Sequence, residues 1–404
     1  MKILLLSTLY SLPGEKILNN TNVCHSFAKE WVKLGHEVRV IYQYPIYHPF
    51  LHFVANLFEK FIANHFYGAV TTKRVMSIDR FNIDGVDIIR IPLYKAVPHI
   101  LFSPKSIQQH VNRIIQENEK DGFVPNIVVG HFFYPNIKIA ASLKKKYHSK
   151  AAIVVHYQGI SIEKVYRDIK KNNSNLIDAI DYWGYRSKPI QDYFEKVFGS
   201  KENHFFCYSG VPSFFFNEEL KPKDFSKLTK FIYVGALIER KHPLAVLEGI
   251  HKADGRDFSL AYIGVGKQQE KIQSYIKKES LQSNVTFLGH VERYKITKHL
   301  ENAQVFVMIS DKETFGLVYL EAMSKGCIVI ASKGEGIDGI IQDGENGFLC
   351  KPGNVSELKL IIKKINAMPP EKLQEISLKA YQTALGLTDE KVAKNYLAAI
   401  TKAS

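Results

Sequence analysis

The chain has 404 residues, 46% of them hydrophobic, and a formal net charge of +14 at pH 7, which fits a globular protein of two or three domains at about 150 residues per domain. No segment reaches the ~18 uninterrupted apolar residues of a membrane span, and the cysteines, Cys24, Cys207, Cys327 and Cys350, are far apart with no CxxC spacing, which argues against a structural zinc site and for a reduced, cytoplasmic setting. The positive surplus leaves nucleic acid, an anionic membrane surface or a phosphorylated ligand as partners, beside a merely solvated basic surface.

MKILLLSTLYSLPG opens the chain. Its apolar run is short and no small-residue cleavage site follows, so it reads as a first buried strand and not as a signal peptide. A helix comes next, in which Val23, Phe27, Trp31 and Leu34 recur on one face, with Asn20 or Thr21 as cap and Gly35 as stop. EVRVIYQ, VDIIRIP, NIVVGHF and AAIVVHY continue the strands, with helical stretches between them, the signature of a parallel α/β domain. Residues 44–75 break this pattern with eight Phe or Tyr, three His, three Lys or Arg and one acid, Glu59. They read as an inserted helical hairpin or as an aromatic, weakly basic surface lying in a membrane interface, and the aromatic density favours the second.

The polar stretch KPKDFSKLTK (221–230) is expected to be a linker. After it the scheme repeats: FIYVGA, a helix from Pro243, FSLAYIG, VTFLG, VFVMIS, CIVIAS and GFLC, with helices between. The expected layout is a first Rossmann-like domain over 1–220, a second over 221–385, and a helix over 386–404, with Val392, Tyr396 and Ile400 on one face, packing back on the first domain. Two doubly wound α/β domains would then face a central cleft.

The stretch DKETFGLVYLEAMSKG carries the chemistry. It lies between two short apolar runs of the kind that form buried parallel strands. Glu313 therefore falls in a loop at the carboxyl end of a strand, where open α/β sheets bind ligands. Gly316 falls near the start of the next helix, and Glu321 about a turn and a half inside it. Helix starts behind glycine loops receive phosphate on their backbone N–H groups, and Phe315-Gly316-Leu317 supplies one. In VGALIERKHP, Gly235 ends a strand and Lys241 stands at the mouth of the next helix, where it would neutralise a diphosphate. Continuous helix through Glu313 and Glu321 would set their backbones about 12 Å apart. Retaining hydrolases hold their carboxyls at ~5 Å and inverting ones at ~6.5 to 9.5 Å, so separate tasks suit the two acids better. Alone, Glu321 would read as a solvated helix residue and a single histidine as a buried core residue.

Taken together, Glu313-x7-Glu321 with TFGLVYL between, Gly235 to Lys241, GVGKQQEKIQ, NVTFLGHV and DGENGFLCKPGN resemble the family 4 glycosyltransferases (GT4) of the GT-B fold over nearly the whole second half. MKILLLSTLYSLPG, KLGHEVRVI and IVVHYQGIS resemble the family's first half more loosely. The resemblance implies a retaining transferase that takes a nucleotide diphosphate sugar as co-substrate and needs no cofactor or bound metal. It implies that Lys241 holds the leaving diphosphate, Glu321 the ribose and Glu313 the donor sugar. Gly316 and Leu317 would offer backbone N–H groups to phosphate, and His156 would line the reaction centre. Gly14, Gly235, Arg240 and Phe315 complete the expected donor site. His131 aligns with another family histidine but is kept as a core residue.

The chain departs from the family at four places. Ala236 stands where arginine is common, so that one phosphate contact is either missing or supplied by Arg240. Gly14 stands alone where paired glycines are usual, Pro212 replaces an acid, and in GEGIDGI Asp338 takes the place of a glutamate. The aromatic, basic first half adds the expectation of a lipid-linked or cell-envelope saccharide acceptor and of a peripheral enzyme on the inner face of the membrane. The alternatives are a nucleotide-sugar 2-epimerase of similar architecture and a non-catalytic nucleic-acid-binding protein. No basic-aromatic binding module appears for the last, so nucleic acid is not an expected partner.

Overall fold

Apolar runs with no polar alternation form strands that are covered on both faces, and this chain builds two sheets from them. The computed structural model describes residues 1–12, 22–58, 73–98, 100–156, 161–172 and 175–401. The chain divides into two units, one holding residues 1–186, 190–207 and 392–404, the other 187–189 and 208–391. Gly14 and residues 59–72 of the aromatic segment lie outside the described residues.

The first sheet contains β1 (Lys2–Ser7), β2 (Glu37–Ile46), β3 (Asp79–Ile83), β4 (Val86–Tyr94), β5 (Ile127–His131), β6 (Lys150–Val155), β7 (Tyr182–Tyr185) and β8 (His204–Phe206). Their order is β3-β4-β2-β1-β5-β6-β7-β8. β1 lies between β2 and β5 with Ile3 opposite both Val38 and Ile127, and all neighbours are parallel except β3 and β4. That hairpin turns through Asp84 and Gly85, both at positive φ, the pair a two-residue turn between twisted strands requires. Helices α1 (Val23–Lys33), α2 (Pro49–Leu57), α3 (Pro104–Glu119), α4 (Phe133–Tyr147), α5 (Ile162–Lys171) and α6 (Lys188–Phe198) connect the strands.

The cap of α1 is Asn22, one or two residues later than expected, and its buried face is Cys24, Phe27, Ala28 and Trp31, while Leu34 is exposed. The α1 face meets the end of the chain. Trp31 Nε1 donates to Ala393 O at 3.0 Å, and the Tyr396 ring packs edge-on to Phe27 and Trp31 with centroids 5.2 and 5.1 Å away. Val392, Tyr396 and Ile400 are all buried, as their spacing predicts.

The second sheet contains β9 (Lys230–Val234), β10 (Ser259–Ile263), β11 (Val285–Phe287), β12 (Val305–Val307), β13 (Ile328–Ser332) and β14 (Phe348–Cys350). It is parallel throughout, in the order β11-β10-β9-β12-β13-β14. Helices α7 (Pro243–Asp254), α8 (Gln269–Glu279), α9 (Arg293–Asn302), α10 (Leu317–Met323), α11 (Val355–Asn366), α12 (Pro370–Gly386) and α13 (Asp389–Thr401) accompany it, α13 passing into the first unit at Val392. Counted by its parallel strands from β4 to β7, the first sheet runs third, second, first, fourth, fifth, sixth; the second sheet has the same order. This is the doubly wound arrangement in which the crossovers change direction beside the first strand.

Residues 221–230 are not a linker. Phe225 and Leu228 are buried in the second unit's core, and Lys223 Nζ donates to the carbonyls of Leu300 and Glu301 at 3.0 and 2.7 Å. The charged composition of that stretch conceals two apolar anchors and a lysine that caps the end of α9.

Candidate functional site

In the second sheet the change of direction falls between β9 and β12, and the loops that leave their carboxyl ends diverge there. The β9 loop runs from Gly235 through a tight turn at Glu239–Lys241 to His242, which adopts φ 46° as the cap of α7. Neighbouring glycines hold this loop in place. A Cβ on Gly264 would lie 2.1 Å from Gly235 O, and one on Gly266 would lie 2.3 Å from Leu237 O. The GVG of GVGKQQEKIQ is thus needed for backbone contact with the Gly235 loop. Leu237 N donates to Val265 O, and Gly235 N to Ile263 O.

The β12 loop crosses the same place. Asp311 N donates to Arg240 O at 2.6 Å, and the Asp311 carboxylate accepts from His242 Nε2 at 2.7 Å. These contacts bring Glu313 to the basic end of the β9 loop. Its Oε2 lies 3.3 Å from Lys241 Nζ and 3.7 Å from Arg240 Nη1, and Ser310 Oγ donates to the same oxygen at 3.5 Å. The Lys241 and Glu313 side chains are each 15% exposed, so the pair is largely sheltered from solvent screening. A Cβ on Gly235 would stand 3.5 Å from Lys241 Nζ, which makes the glycine the floor under the lysine.

Glu313 sits on a strained loop. Lys312 has φ 53° and Gly316 φ 80°, and a Cβ on Gly316 would also meet the Tyr319 ring at 2.3 Å. Glu335 braces the turn from outside, its Oε2 accepting from Glu313 N at 2.7 Å. Burial pushes the Glu335 carboxyl up and the backbone N–H groups of Glu313 and Lys312 pull it down. The sequence singled out Asp338 in this segment, but Asp338 Oδ2 accepts from Gly334 N within its own turn, and it is Glu335 that reaches the Glu313 loop. Gly336 permits the approach, since its Cβ would fall 2.4 Å from Phe315 N. The Phe315 ring is buried and stacks on Tyr208, with centroids 5.6 Å apart, which leaves only its backbone for a ligand.

α10 starts at Leu317 behind Gly316 and has only seven residues. Glu321 on it is buried and not solvated. Arg293, the first residue of α9, donates to its Oε1 from Nε at 2.7 Å. Burial raises the Glu321 carboxyl and Arg293 opposes that rise. The expected residues Gly235, Arg240, Lys241, Glu313, Gly316 and Leu317 therefore gather on the β9 and β12 loops and the start of α10, with Glu321 further along α10. Gly14 lies outside the described residues. Arg293, Glu335 and the His242–Asp311 pair were not singled out by the sequence.

In the first unit, His156 follows β6 and His131 ends β5, so their parallel strands bring them side by side. His131 Nδ1 lies 3.2 Å from His156 Nε2, and Tyr396 OH lies 3.3 Å from His131 Nε2. Burial, with Arg186 nearby, pushes His131 down to about 3 and His156 well below its ordinary value, so both rings are neutral at pH 7. His131 is the core histidine expected of it, and it also supports His156.

Residues 216–383 match the family model of the glycosyl transferases group 1. The loops just described lie within this matched segment. An uncharacterized glycosyltransferase of Methanocaldococcus jannaschii is 25% identical over 60% of this chain and 66% of its own length. The amylovoran biosynthesis glycosyltransferase of Erwinia amylovora is 24% identical over 63% of this chain and 64% of its own. The chain thus covers just under two thirds of the length of each of these two relatives. Among solved structures, the Anabaena protein HepE in complex with UDP superposes with a TM-score of 0.69 at 16% identity, over 99% of this chain and 100% of that one. The fold is GT-B, with two Rossmann-like α/β domains, the second of which carries the group 1 match.

Proposed function

We propose that this protein is a retaining glycosyltransferase that moves a sugar from a nucleotide diphosphate sugar to a hydroxyl of a lipid-linked or cell-envelope saccharide. The observation that carries the proposal is the convergence of Lys241, Arg240 and Glu313 at the carboxyl end of β9 and β12, inside the group 1 match. Breaking the bond between the sugar and the diphosphate builds charge on the departing phosphate oxygens. Cations already oriented in a sheltered site stabilise that charge more in the transition state than in the ground state. Lys241 and Arg240 take that role, the backbone at Gly316 and Leu317 adds N–H donors, Glu321 receives the ribose and Glu313 the donor sugar.

Three carboxylates crowd this loop and each is engaged: Asp311 by His242, Glu313 by Lys241 and Arg240, Glu335 by the Lys312–Glu313 backbone. That arrangement favours direct transfer over a covalent sugar-enzyme intermediate. The acceptor oxygen bonds to the anomeric carbon on the face the diphosphate leaves, the bond to the β-phosphate oxygen breaks, and the acceptor proton passes to that oxygen. No metal is invoked, in keeping with the family resemblance. His156, neutral and held by His131, is assigned to hydrogen-bond the reacting sugar.

The acceptor class draws on two observations. The Erwinia relative is named for biosynthesis of amylovoran, and α2 exposes Phe50, Phe53 and Leu57 on a helix that carries no Lys, Arg, Asp or Glu. With the +14 charge of the chain, that surface suits a peripheral position on anionic lipid. No described helix is long and apolar enough to cross a membrane.

The test is thermal unfolding with UDP-, GDP-, ADP- and CDP-sugars, repeated for Lys241→Ala and Glu321→Ala. One nucleotide should raise the unfolding temperature of the parent protein, and neither variant should respond. Incubating the stabilising donor without acceptor should leave it chemically unchanged, since interconversion would mark an epimerase. A parent protein indifferent to all four would end the proposal.

A further inference from the structure

We infer that Arg293 is a positioning residue of the donor site, holding Glu321 by one carboxylate oxygen so that the other is presented to a ribose hydroxyl of the nucleotide. The inference rests on the donor reading above and adds a residue to it.

Arg293 opens α9 and Glu321 sits on α10, 28 residues later. Nε and Nη2 of the guanidinium reach the same oxygen, Oε1, at 2.7 and 2.5 Å. An arginine that only neutralises a carboxylate commonly takes both oxygens in a fork-to-fork pair. Here the hydrogen bond from Nε and the ionic approach of Nη2 both fall on Oε1, and among the described residues no donor reaches Oε2. The Glu321 side chain is 6% exposed against 44% for Arg293, and Oε2 is not among the described buried polar atoms sealed off without a partner, so it is the side of the carboxylate left open to a hydroxyl. Since Arg293 already supplies the compensating charge, the group suited to Oε2 is a neutral donor. A sugar hydroxyl fits, whereas a second cation would leave the pocket with excess positive charge.

Two contributions to the state of the carboxyl follow from this geometry. Burial drives Glu321 towards its protonated form, and Arg293 is the charged group that opposes it. No other described charged side chain pairs with Glu321. Without Arg293 the carboxyl would titrate at higher pH, and a protonated Glu321 would lose an acceptor for the hydroxyl.

The experiment is calorimetric titration with UDP, GDP, ADP and CDP at pH 6 and pH 8.5 on the parent protein, Arg293→Met, Arg293→Lys, Glu321→Gln and the double variant Arg293→Met/Glu321→Gln. For the nucleotide that binds, Arg293→Met should weaken affinity about tenfold at pH 6 and recover part of it at pH 8.5, where the carboxylate re-forms. The parent protein and Glu321→Gln should show no such recovery. Arg293→Lys should restore most of the affinity, and the double variant should bind no worse than Glu321→Gln alone, because both changes act through one carboxylate. Should Arg293→Met fail to fold, Arg293→Gln, which keeps a donor without the charge, should show the same pH-dependent loss. Parent-like affinity of the arginine variant at both pH values, or losses that simply add in the double variant, would overturn the inference while leaving nucleotide binding intact. A parent protein that binds none of the four nucleotides would overturn the donor reading and this inference with it.

Discussion

Lys241 Nζ lies 3.3 Å from Glu313 Oε2, so the cation proposed for the diphosphate already faces an anion of its own chain. Under the proposed function a diphosphate arriving there takes the lysine from the glutamate and frees that carboxylate for the sugar, so that donor binding and the deployment of Glu313 would be one event. Glu313→Gln should therefore bind the bare nucleoside diphosphate about fivefold more tightly, by removing the competing charge, while transfer falls by about a hundredfold. Weaker diphosphate binding in this variant would show instead that Glu313 serves to hold Lys241 in place.

Replacing the lysine has the opposite signature. Lys241→Ala should lower turnover by about 100- to 1,000-fold, the range lost when one oriented donor to a developing oxyanion is removed. The fold should lose under about 1 kcal/mol, because Arg240 remains beside Glu313. Paired measurements of kcat and of denaturant unfolding separate the two effects, and a variant that turns over normally would exclude Lys241 from the chemistry.

Gly316 combines φ 80° with a Tyr319 ring where a Cβ would go. Gly316→Ala should therefore cost about 1 to 3 kcal/mol of stability. Because the residue joins the Glu313 loop to α10, nucleotide response should disappear even at temperatures where the variant is folded. An alanine variant with unchanged unfolding midpoint and nucleotide response would contradict the strained turn.

Acid should weaken the first unit through its buried histidines. Burial holds His110 and His131 down at about 3 against an ordinary 6.5, so the unfolded chain takes up these protons well before the folded one does. Stability is complete above pH 6.5 and is lost as the pH falls from there towards 3, by about 2 kcal/mol per histidine at pH 5. Urea unfolding at pH 8 and pH 5 measures this, and His110→Leu should reduce the difference by about that amount. An equal pH effect with and without His110 would remove the buried neutral ring as its source.

The α2 surface makes a separate prediction about location. Phe50, Phe53 and Leu57 are 64%, 66% and 68% exposed, so replacing all three with serine removes little packing. The parent protein should float with vesicles containing phosphatidylglycerol, and the triple variant should lose at least about tenfold in partition, since each apolar side chain is worth about 1.5 to 3 kcal/mol on burial. Flotation of the variant to the parent's level would dismiss the membrane role of α2.

Local pattern made some of this legible and chain separation hid the rest. The strand, loop and helix around Glu313 lie within one contiguous stretch, and so do Gly235 and Lys241, which is why periodicity and glycine placement sufficed to find them. The Arg293–Glu321 pair joins residues 28 apart and the His131–His156 pair residues 25 apart, through register that no local pattern encodes. Glu335 was hidden differently, because its neighbour Asp338 occupied the familiar position while the longer side chain reached across the turn. The β3–β4 hairpin did carry a signal, Asp84-Gly85 between apolar runs, which the parallel strand rhythm around it obscured. The apparent linker at 221–230 was misjudged on its charge, since two buried residues, Phe225 and Leu228, decide where that stretch lies.

The return of residues 392–401 to Trp31 and His131 also joins late-made residues to the earliest-made unit. Everything that the Rossmann-like body of the amino-terminal half needs is translated early except its last helix, which supplies Tyr396. Until residues 392–401 have been made, the Phe27 and Trp31 face lacks the Tyr396 ring that packs on it, and a truncation that removes only the final helix would uncover the earliest-made part of the protein.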